Sequence, residues 1–140
     1  MKKIIIILTI AFSSCNKFNC EEDLRQAGIN FTEDFTILKY DSDGALGDWD
    51  DNFQLKISDK DVELFIKKVQ QTKGYREYKE KEIGEGTDCS IPDSDRITGY
   101  KRGTTFYYYI EKKYVKGKAN ENYCIWLTPD KTFHFAYRME

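Results

Sequence analysis

The sequence predicts a single small α+β domain, in which one amphipathic helix packs on a mostly antiparallel sheet of about five strands, in the order β-β-α-loop-β-β-β. Three observations lead to this class. The chain has 140 residues, of which 40% are hydrophobic and 15% aromatic, so it suits one folded domain and is too apolar for a disordered chain. Residues 53–57 alternate apolar and polar side chains, which is the period of a half-buried strand. Between Val62 and Val69 the apolar residues follow the helical period instead.

The helix is predicted over residues 59–73. Ser58 stands before it and Asp61 follows three positions later, so the serine oxygen can accept a hydrogen bond from a free amide while the acid complements the helix dipole. Gly74 supplies the C-terminal stop. The apolar face consists of Val62, Phe65, Ile66 and Val69.

Runs rich in aromatic and β-branched residues predict the strands. The turn sequence Asp41-Ser42-Asp43-Gly44 separates the first two, which we expect to pair as a hairpin with a long loop. Pro129-Asp130-Lys131 separates the last two and suits a type I turn. Residues 75–82 fit either a charged strand or an extension of the helix, and residues 83–95 are predicted to form a loop. The five strands are predicted at residues 35–40, 53–57, 104–114, 123–128 and 132–137.

The N-terminal residues have the organisation of an export signal. Met1-Lys2-Lys3 is basic, and residues 4–12 form an apolar run that would cover about 14 Å as a helix, less than half of a bilayer core. Such a run is too short to span a membrane and matches the h-region of a secretory signal peptide. A cytoplasmic amphipathic helix is disfavoured because the run has no polar face.

The next residues, Phe12-Ser13-Ser14-Cys15, resemble a relaxed form of the lipobox of bacterial lipoproteins. The resemblance covers only the first 15 residues, and it implies cleavage before Cys15, whose sulfur would then carry lipid. Asn16, in place of Asp, implies the outer membrane of a Gram-negative bacterium. Residues 1–14 are then the signal peptide, residues 15–30 the lipidated cysteine and a tether, and residues 31–140 the single domain.

Ordinary secretion is the alternative, with Ala11-Phe12-Ser13 as the cleavage site. It would leave four cysteines, an even number that suits an oxidising compartment, whereas lipidation of Cys15 leaves three. The cysteine directly after the apolar run and two serines nevertheless favours lipidation.

A disulfide between Cys89 and Cys124 is predicted. Cys89 lies in the predicted loop and Cys124 in a predicted strand, so the bond would attach the irregular segment to the sheet, with a stabilisation of about 3–4 kcal/mol on the chain-entropy estimate. Pairing with Cys20 is disfavoured because Cys20 lies in the predicted tether. The chain has no CxxC motif, so neither a redox site nor a zinc ribbon is indicated.

The acidic residues between positions 41 and 51 could form a calcium-binding site, because calcium takes roughly six to eight oxygen ligands. In the EF-hand template Leu46 or Phe53 falls where glycine is required, so the segment is not an EF-hand. A solvated acidic turn is the favoured interpretation, a looser calcium site is the alternative, and no metal site is predicted. The carboxylates concerned are Asp41, Asp43, Asp48, Asp50 and Asp51.

The sequence contains no recognisable catalytic set. Its one histidine, His134, stands between Phe133 and Phe135 on a predicted strand, and faces solvent or the opposite layer if those two rings face the core. There is no GxSxG, Walker, HExxH or dinucleotide-binding motif, and nothing singles out a carboxylate pair for hydrolysis. We therefore predict no cofactor and no enzymatic activity, with an enzyme that acts through carboxylates as a minor alternative.

The segment from Tyr100 to Lys118 combines bases with aromatic residues and is the strongest candidate for a binding surface. In a cytoplasmic protein it would suggest single-stranded nucleic acid, but the export signal argues against that partner. In the envelope it suits an acidic protein or an anionic polysaccharide, and the structural alternative is a strand with tyrosines in the core and lysines at the rim. The candidate binding residues are Lys101, Arg102, Tyr107, Tyr109, Lys112, Lys113, Lys116 and Lys118.

Together these observations predict a small outer-membrane lipoprotein that acts by binding. The leading hypothesis is a module that binds an envelope or secreted protein, as small inhibitor and immunity lipoproteins of the periplasm do. The alternative is a module for an anionic glycan or lipid, which would bind through the basic, Tyr-rich strand and lose affinity steeply as salt rises.

Overall fold

A computed structural model describes residues 19–45, 48–79, 97–112 and 121–139, without the side chains of residues 43–45 and 48–50. The chain divides into two compact units, Met1–Asn30 and Phe31–Glu140. In the first unit, residues 19–26 form helix α1. The elements of the second unit are β1 (Thr36–Ala45), β2 (Asp48–Lys56), α2 (Asp59–Gln70), β3 (Arg76–Tyr78), β4 (Ile97–Arg102), β5 (Thr105–Lys112), β6 (Glu121–Leu127) and β7 (Thr132–Met139).

Helix α1 lies within the predicted tether, residues 15–30, and is absent from the elements that we predicted. The helix is followed by Gly28, whose positive φ of 71° is typical of the residue that ends a helix. The buried side chains of this segment recur at helical spacing, as on one face of a helix. They are Cys20, Leu24 and Ala27.

The predicted α+β class is confirmed, but the sheet that the described residues form has seven strands where we expected about five. Its order is β1-β2-β7-β6-β5-β4-β3, and every neighbouring pair is antiparallel except β3 and β4. Strand β3 has only three residues, which is too short for a period to be visible. In strand β4, Gly99 lies between Thr98 and Tyr100 and two bases follow in succession, so its sequence shows no alternation.

The first two strands pair as a hairpin, as predicted, but the predicted long loop and its turn at residues 41–44 are wrong. Strand β1 continues through these residues, with Asp41 opposite Asn52 and Ala45 opposite Asp48. Only residues 46 and 47 separate the two strands. The pairing with β2 therefore overrides the local turn preference of aspartate and glycine.

Helix α2 begins as predicted and ends three residues earlier than predicted. Ser58 is the N-cap, and its Oγ accepts a hydrogen bond of 3.1 Å from the backbone N–H of Asp61. At the other end the N–H of Gln71 donates to the carbonyl of Lys67, and Gly74 follows with a φ of 80°. Of the predicted apolar face, Ile66 is half-buried and the other members are buried.

Asp61 has a larger structural role than the cap that its position predicted. Its side chain is only 2% exposed, and its carboxylate accepts hydrogen bonds from the N–H and Oγ1 of Thr32 at 2.8 and 3.0 Å. The N–H of Glu33 and the Oγ of Ser58 donate to its second oxygen at 3.2 and 2.9 Å. Asp61 thereby attaches the segment before β1 to the start of α2.

Aromatic rings form the centre of the core of the second unit. Phe133 and Phe135 are 0% and 1% exposed, so both rings face inwards. The ring centroid of Phe135 lies 4.4 Å from that of Phe53, in a stacked arrangement. The predicted turn between β6 and β7 is also confirmed, since the N–H of Lys131 donates to the carbonyl of Thr128 at 2.9 Å.

Candidate functional site

Alternation along the strands divides the sheet into two faces. Helix α2 packs on one of them, where the ring centroid of Phe65 lies 6.5 Å from that of Tyr108 and 5.2 Å from that of Phe133. We call this the helix face. Tyr107 and His134 stand one position away from core residues and therefore lie on the opposite face.

A groove of about 590 Å³ lies on the helix face between α2 and strands β4 and β5. Leu64 of α2 and Ile97 of β4 line it, and each is 45% exposed. In the part of the chain that the structure describes, only three large hydrophobic side chains are exposed, and the third is Leu38 on β1. We call this feature the Leu64–Ile97 groove.

Positive charge surrounds these two apolar side chains. Lys67, Lys68 and Lys73 line the groove, and none of its described lining residues is acidic. The Nζ of Lys68 lies 5.3 Å from the ring centroid of Tyr108, a cation–π distance. Burial raises the pKa of Tyr108, so its phenol remains neutral and uncharged beside the lysines at neutral pH.

The fold accounts for two of the lysines in the groove but not for its two exposed apolar side chains. Lys67 and Lys68 lie in the last turn of α2, where cations interact favourably with the helix dipole. Leu64 lies outside the buried face of the helix, so the core does not account for it. Ile97 likewise leaves much of its surface in solvent at the start of β4. Leu64 and Ile97 are therefore the residues of the groove that indicate binding.

Close approach of α2 to β4 determines the geometry of the groove. A Cβ atom added at Gly99 would lie 2.5 Å from the carbonyl oxygen of Val69 and 2.8 Å from the Cβ of Thr72. Only a glycine therefore lets the last turn of the helix rest on the strand at this distance.

Four rings lie side by side on the opposite face, because the register places them on neighbouring strands. The centroids of Tyr100 and Tyr107 are 4.7 Å apart, and those of Trp126 and His134 are 4.8 Å apart, with nearly parallel planes. A cavity beside His134 has a volume of about 230 Å³, below the roughly 300–1,000 Å³ of most small-molecule sites. Burial lowers the pKa of His134 below its usual 6.5, so the imidazole is neutral at pH 7.

The residues predicted to form one basic, Tyr-rich binding surface lie on both faces of the sheet. Lys101 and Lys112 are on the helix face, with their Nζ atoms 5.4 and 4.8 Å from the ring centroids of Phe106 and Tyr123. The register places Arg102, Tyr107 and Tyr109 on the opposite face. The remaining predicted residues, Lys113, Lys116 and Lys118, lie outside the described residues.

The predicted cysteine chemistry falls largely outside the described residues. Cys15 and Cys89 both lie there, so lipidation and the Cys89–Cys124 disulfide stay predictions. Cys124 is half-buried in β6 on the opposite face. Cys20 is completely buried.

The described residues of the acidic segment, residues 41–51, give no support for a metal site. The side chain of Asp41 is exposed, and those of Asp43, Asp48 and Asp50 are not described. Within the described ranges no group of three or more His, Cys, Asp or Glu residues is arranged to hold a metal ion.

Neither apolar residue of the groove was predicted from the sequence. A signal for Leu64 was present, because it is an aliphatic residue that falls outside the apolar face of an otherwise clear amphipathic helix. No such signal exists for Ile97, because its strand has no alternation and its place beside α2 depends on how β4 pairs in the sheet.

Comparison with known proteins adds no relative to these observations. No family model matches the chain, and neither a curated protein nor a solved structure matches it. Among the described residues, no helix is both long enough and apolar enough to cross a membrane.

Proposed function

We propose that this chain is an exported, lipid-anchored protein of the outer membrane whose folded domain binds an envelope or secreted protein, in the manner of small inhibitor or immunity lipoproteins. The observation that carries the binding role is the Leu64–Ile97 groove. It brings together two of the three exposed large hydrophobic side chains in the described part of the chain. Exposed apolar residues that cluster in a concave surface are typical of protein-binding sites.

The size of the groove and the exposure of its apolar side chains both support a role in binding a partner. Its volume of about 590 Å³ can accept side chains from a partner. Burying a Leu or Ile side chain stabilises by about 1.5–3 kcal/mol when the whole side chain leaves water. Because Leu64 and Ile97 are each 45% exposed, covering either side chain in a complex would stabilise that complex by roughly half of this free energy.

An anionic glycan or lipid is the weaker candidate. It would bind through the basic, Tyr-rich strand, and a polyanion needs several cations on one surface to bind tightly. The bases of that strand divide between the two faces, with Lys101 on one and Arg102 on the other. Sugars and headgroups also give no reason for two exposed aliphatic side chains.

Affinity capture tests the proposed function. The full chain, extracted in detergent, serves as bait for envelope and secreted proteins of its own organism at low and moderate salt. We expect one protein to be retained in stoichiometric amount at both salts, and to be lost when Leu64→Ser and Ile97→Ser are combined. Leu38→Ser is the matched control, because Leu38 is exposed outside the groove. Retention of polysaccharide alone, or of nothing, would exclude the protein-binding role.

Lipid anchoring is tested with a cysteine variant. We expect Cys15→Ser to abolish incorporation of a palmitate analogue and to move the chain from the membrane fraction to the soluble fraction, because the acyl chains supply the membrane affinity. Cys20→Ala is the control, since Cys20 is buried and lies five positions beyond the proposed site. Labelling that persists in Cys15→Ser would contradict the anchor, and loss of labelling in Cys20→Ala would place it elsewhere.

A further inference from the structure

We infer that the Leu64–Ile97 groove binds an acidic segment of the partner protein that carries one large apolar side chain. This inference rests on the proposed function and adds to it the chemistry of the partner. Three features of the groove carry it: an apolar pair at its sides, three cations around that pair, and the absence of acidic residues from its described lining.

The apolar part of the groove requires an apolar group from the partner. A polar side chain placed between Leu64 and Ile97 would lose water without gaining a hydrogen bond from either residue, which costs free energy. An aliphatic or aromatic side chain gains by displacing the same water. Tyr108, whose ring lies under the Nζ of Lys68, extends the apolar surface towards the sheet.

The charged part favours acidic residues next to that apolar group in the partner. Within the described residues Lys67 and Lys73 form no ion pair with a carboxylate, and the local charge contrasts with the net charge of −2 for the whole chain. A partner that covered these lysines without supplying carboxylates would leave their charges desolvated and unpaired. Carboxylates from the partner also speed association through electrostatic steering.

Selection from a random peptide library displayed on phage tests this chemistry without assuming a partner. The full chain is immobilised, and peptides are selected at low salt. We expect the selected peptides to share one Leu, Ile, Phe or Trp flanked by Asp or Glu. Selection of peptides without acids, or of none above the background of an empty surface, would overturn the inference.

Two pairs of variants locate the binding of one selected peptide. We expect Leu64→Ser with Ile97→Ser to weaken binding about tenfold or more through lost apolar contact. We expect Lys67→Glu with Lys73→Glu to weaken it by a similar factor at low salt and less at high salt, because salt screens exposed charges. Unfolding in urea is measured for each variant, so that a loss of folding is recognised as such.

Matched controls separate the groove from general surface effects. Leu38→Ser removes an exposed leucine from β1, and Lys60→Glu reverses a charge in the first turn of the same helix, outside the groove lining. Both should leave the peptide affinity unchanged, and equal weakening by the controls would overturn the inference.

The two proposals fail in different ways. If capture retains a stoichiometric protein whose binding ignores both groove variants, the inference is wrong and the protein-binding role stands. If the peptides bind as expected but capture retains no protein, the groove chemistry stands and the proposed function is wrong.

Discussion

Asp61→Asn is expected to lower the free energy of unfolding by about 2–3 kcal/mol, because hydrogen bonds to a buried charged group are stronger than neutral ones. The carboxylate accepts hydrogen bonds from three residues, Thr32, Glu33 and Ser58. An amide keeps the shape of the side chain but presents an NH2 group to some of these donors. Urea unfolding with an unchanged slope would measure the loss.

Asp59→Asn is the control for this prediction. Asp59 lies in the same turn of α2 and its carboxylate is 2.6 Å from the Nζ of Lys131, but this ion pair is largely exposed to solvent. Exposed pairs contribute little, so we expect a much smaller change than in Asp61→Asn. An equal loss in the two variants would contradict the role assigned to Asp61.

The pH dependence of stability gives a second measurement on the same residue. Burial raises the pKa of Asp61, but the hydrogen bonds from Thr32, Ser58 and Glu33 outweigh it and hold the pKa below its ordinary 3.8. The unfolded chain therefore takes up the proton first as pH falls. The contribution of Asp61 is complete above the unfolded pKa and is lost as pH falls through the lower folded pKa. The difference in stability between Asp61→Asn and the parent chain should accordingly shrink below about pH 4.

Gly99→Ala is expected to destabilise the domain by about 2–3 kcal/mol through overpacking. The new Cβ would lie 2.5 Å from the carbonyl oxygen of Val69, and a backbone atom in a helix cannot move aside as a flexible side chain can. Helix α2 would have to shift away from β4. Because Thr72 and Ile97 line the Leu64–Ile97 groove on either side of this contact, the same variant should weaken binding there.

A double-mutant cycle with Thr72→Ala tests the steric explanation of the Gly99 effect. Thr72→Ala removes the Oγ1 that the new Cβ would meet at 2.7 Å, and it leaves the contacts with the Cβ of Thr72 at 2.8 Å and with the carbonyl oxygen of Val69. We therefore expect Thr72→Ala to recover part of the loss in Gly99→Ala, with an interaction free energy of about 1 kcal/mol. Additive effects of the two substitutions would exclude Oγ1 of Thr72 as a source of the clash.

Helix α2 and the last three strands were predictable because their signals are local. Ser58 and Asp61 lie three positions apart, so the residues that begin and cap the helix can be recognised within four consecutive residues of the sequence. Strands β6 and β7 are rich in aromatic residues and flank the turn sequence Pro129-Asp130-Lys131, so local sequence was enough to place both.

The elements that were left open or predicted wrongly depend on partners that are distant in sequence. A strand was one of two alternatives for residues 75–82, and the structure has strand β3 there, in which Arg76 is the register partner of Tyr100 on β4, 24 positions away. Residues 41–44 have turn preferences that the ladder with β2 overrides. In both cases the deciding hydrogen bonds form only when the sheet is assembled.

The sequence by itself determined the α+β class and the start of α2, and it supplies the N-terminal pattern from which the anchor is proposed. Only the tertiary structure decided which residues share a surface. It separated Lys101 from Arg102 because neighbouring positions on a strand face opposite sides, and it joined Leu64 to Ile97 because α2 rests on Gly99. Periodicity assigns each residue to a face of its own element, whereas a binding site requires the faces of several elements to meet.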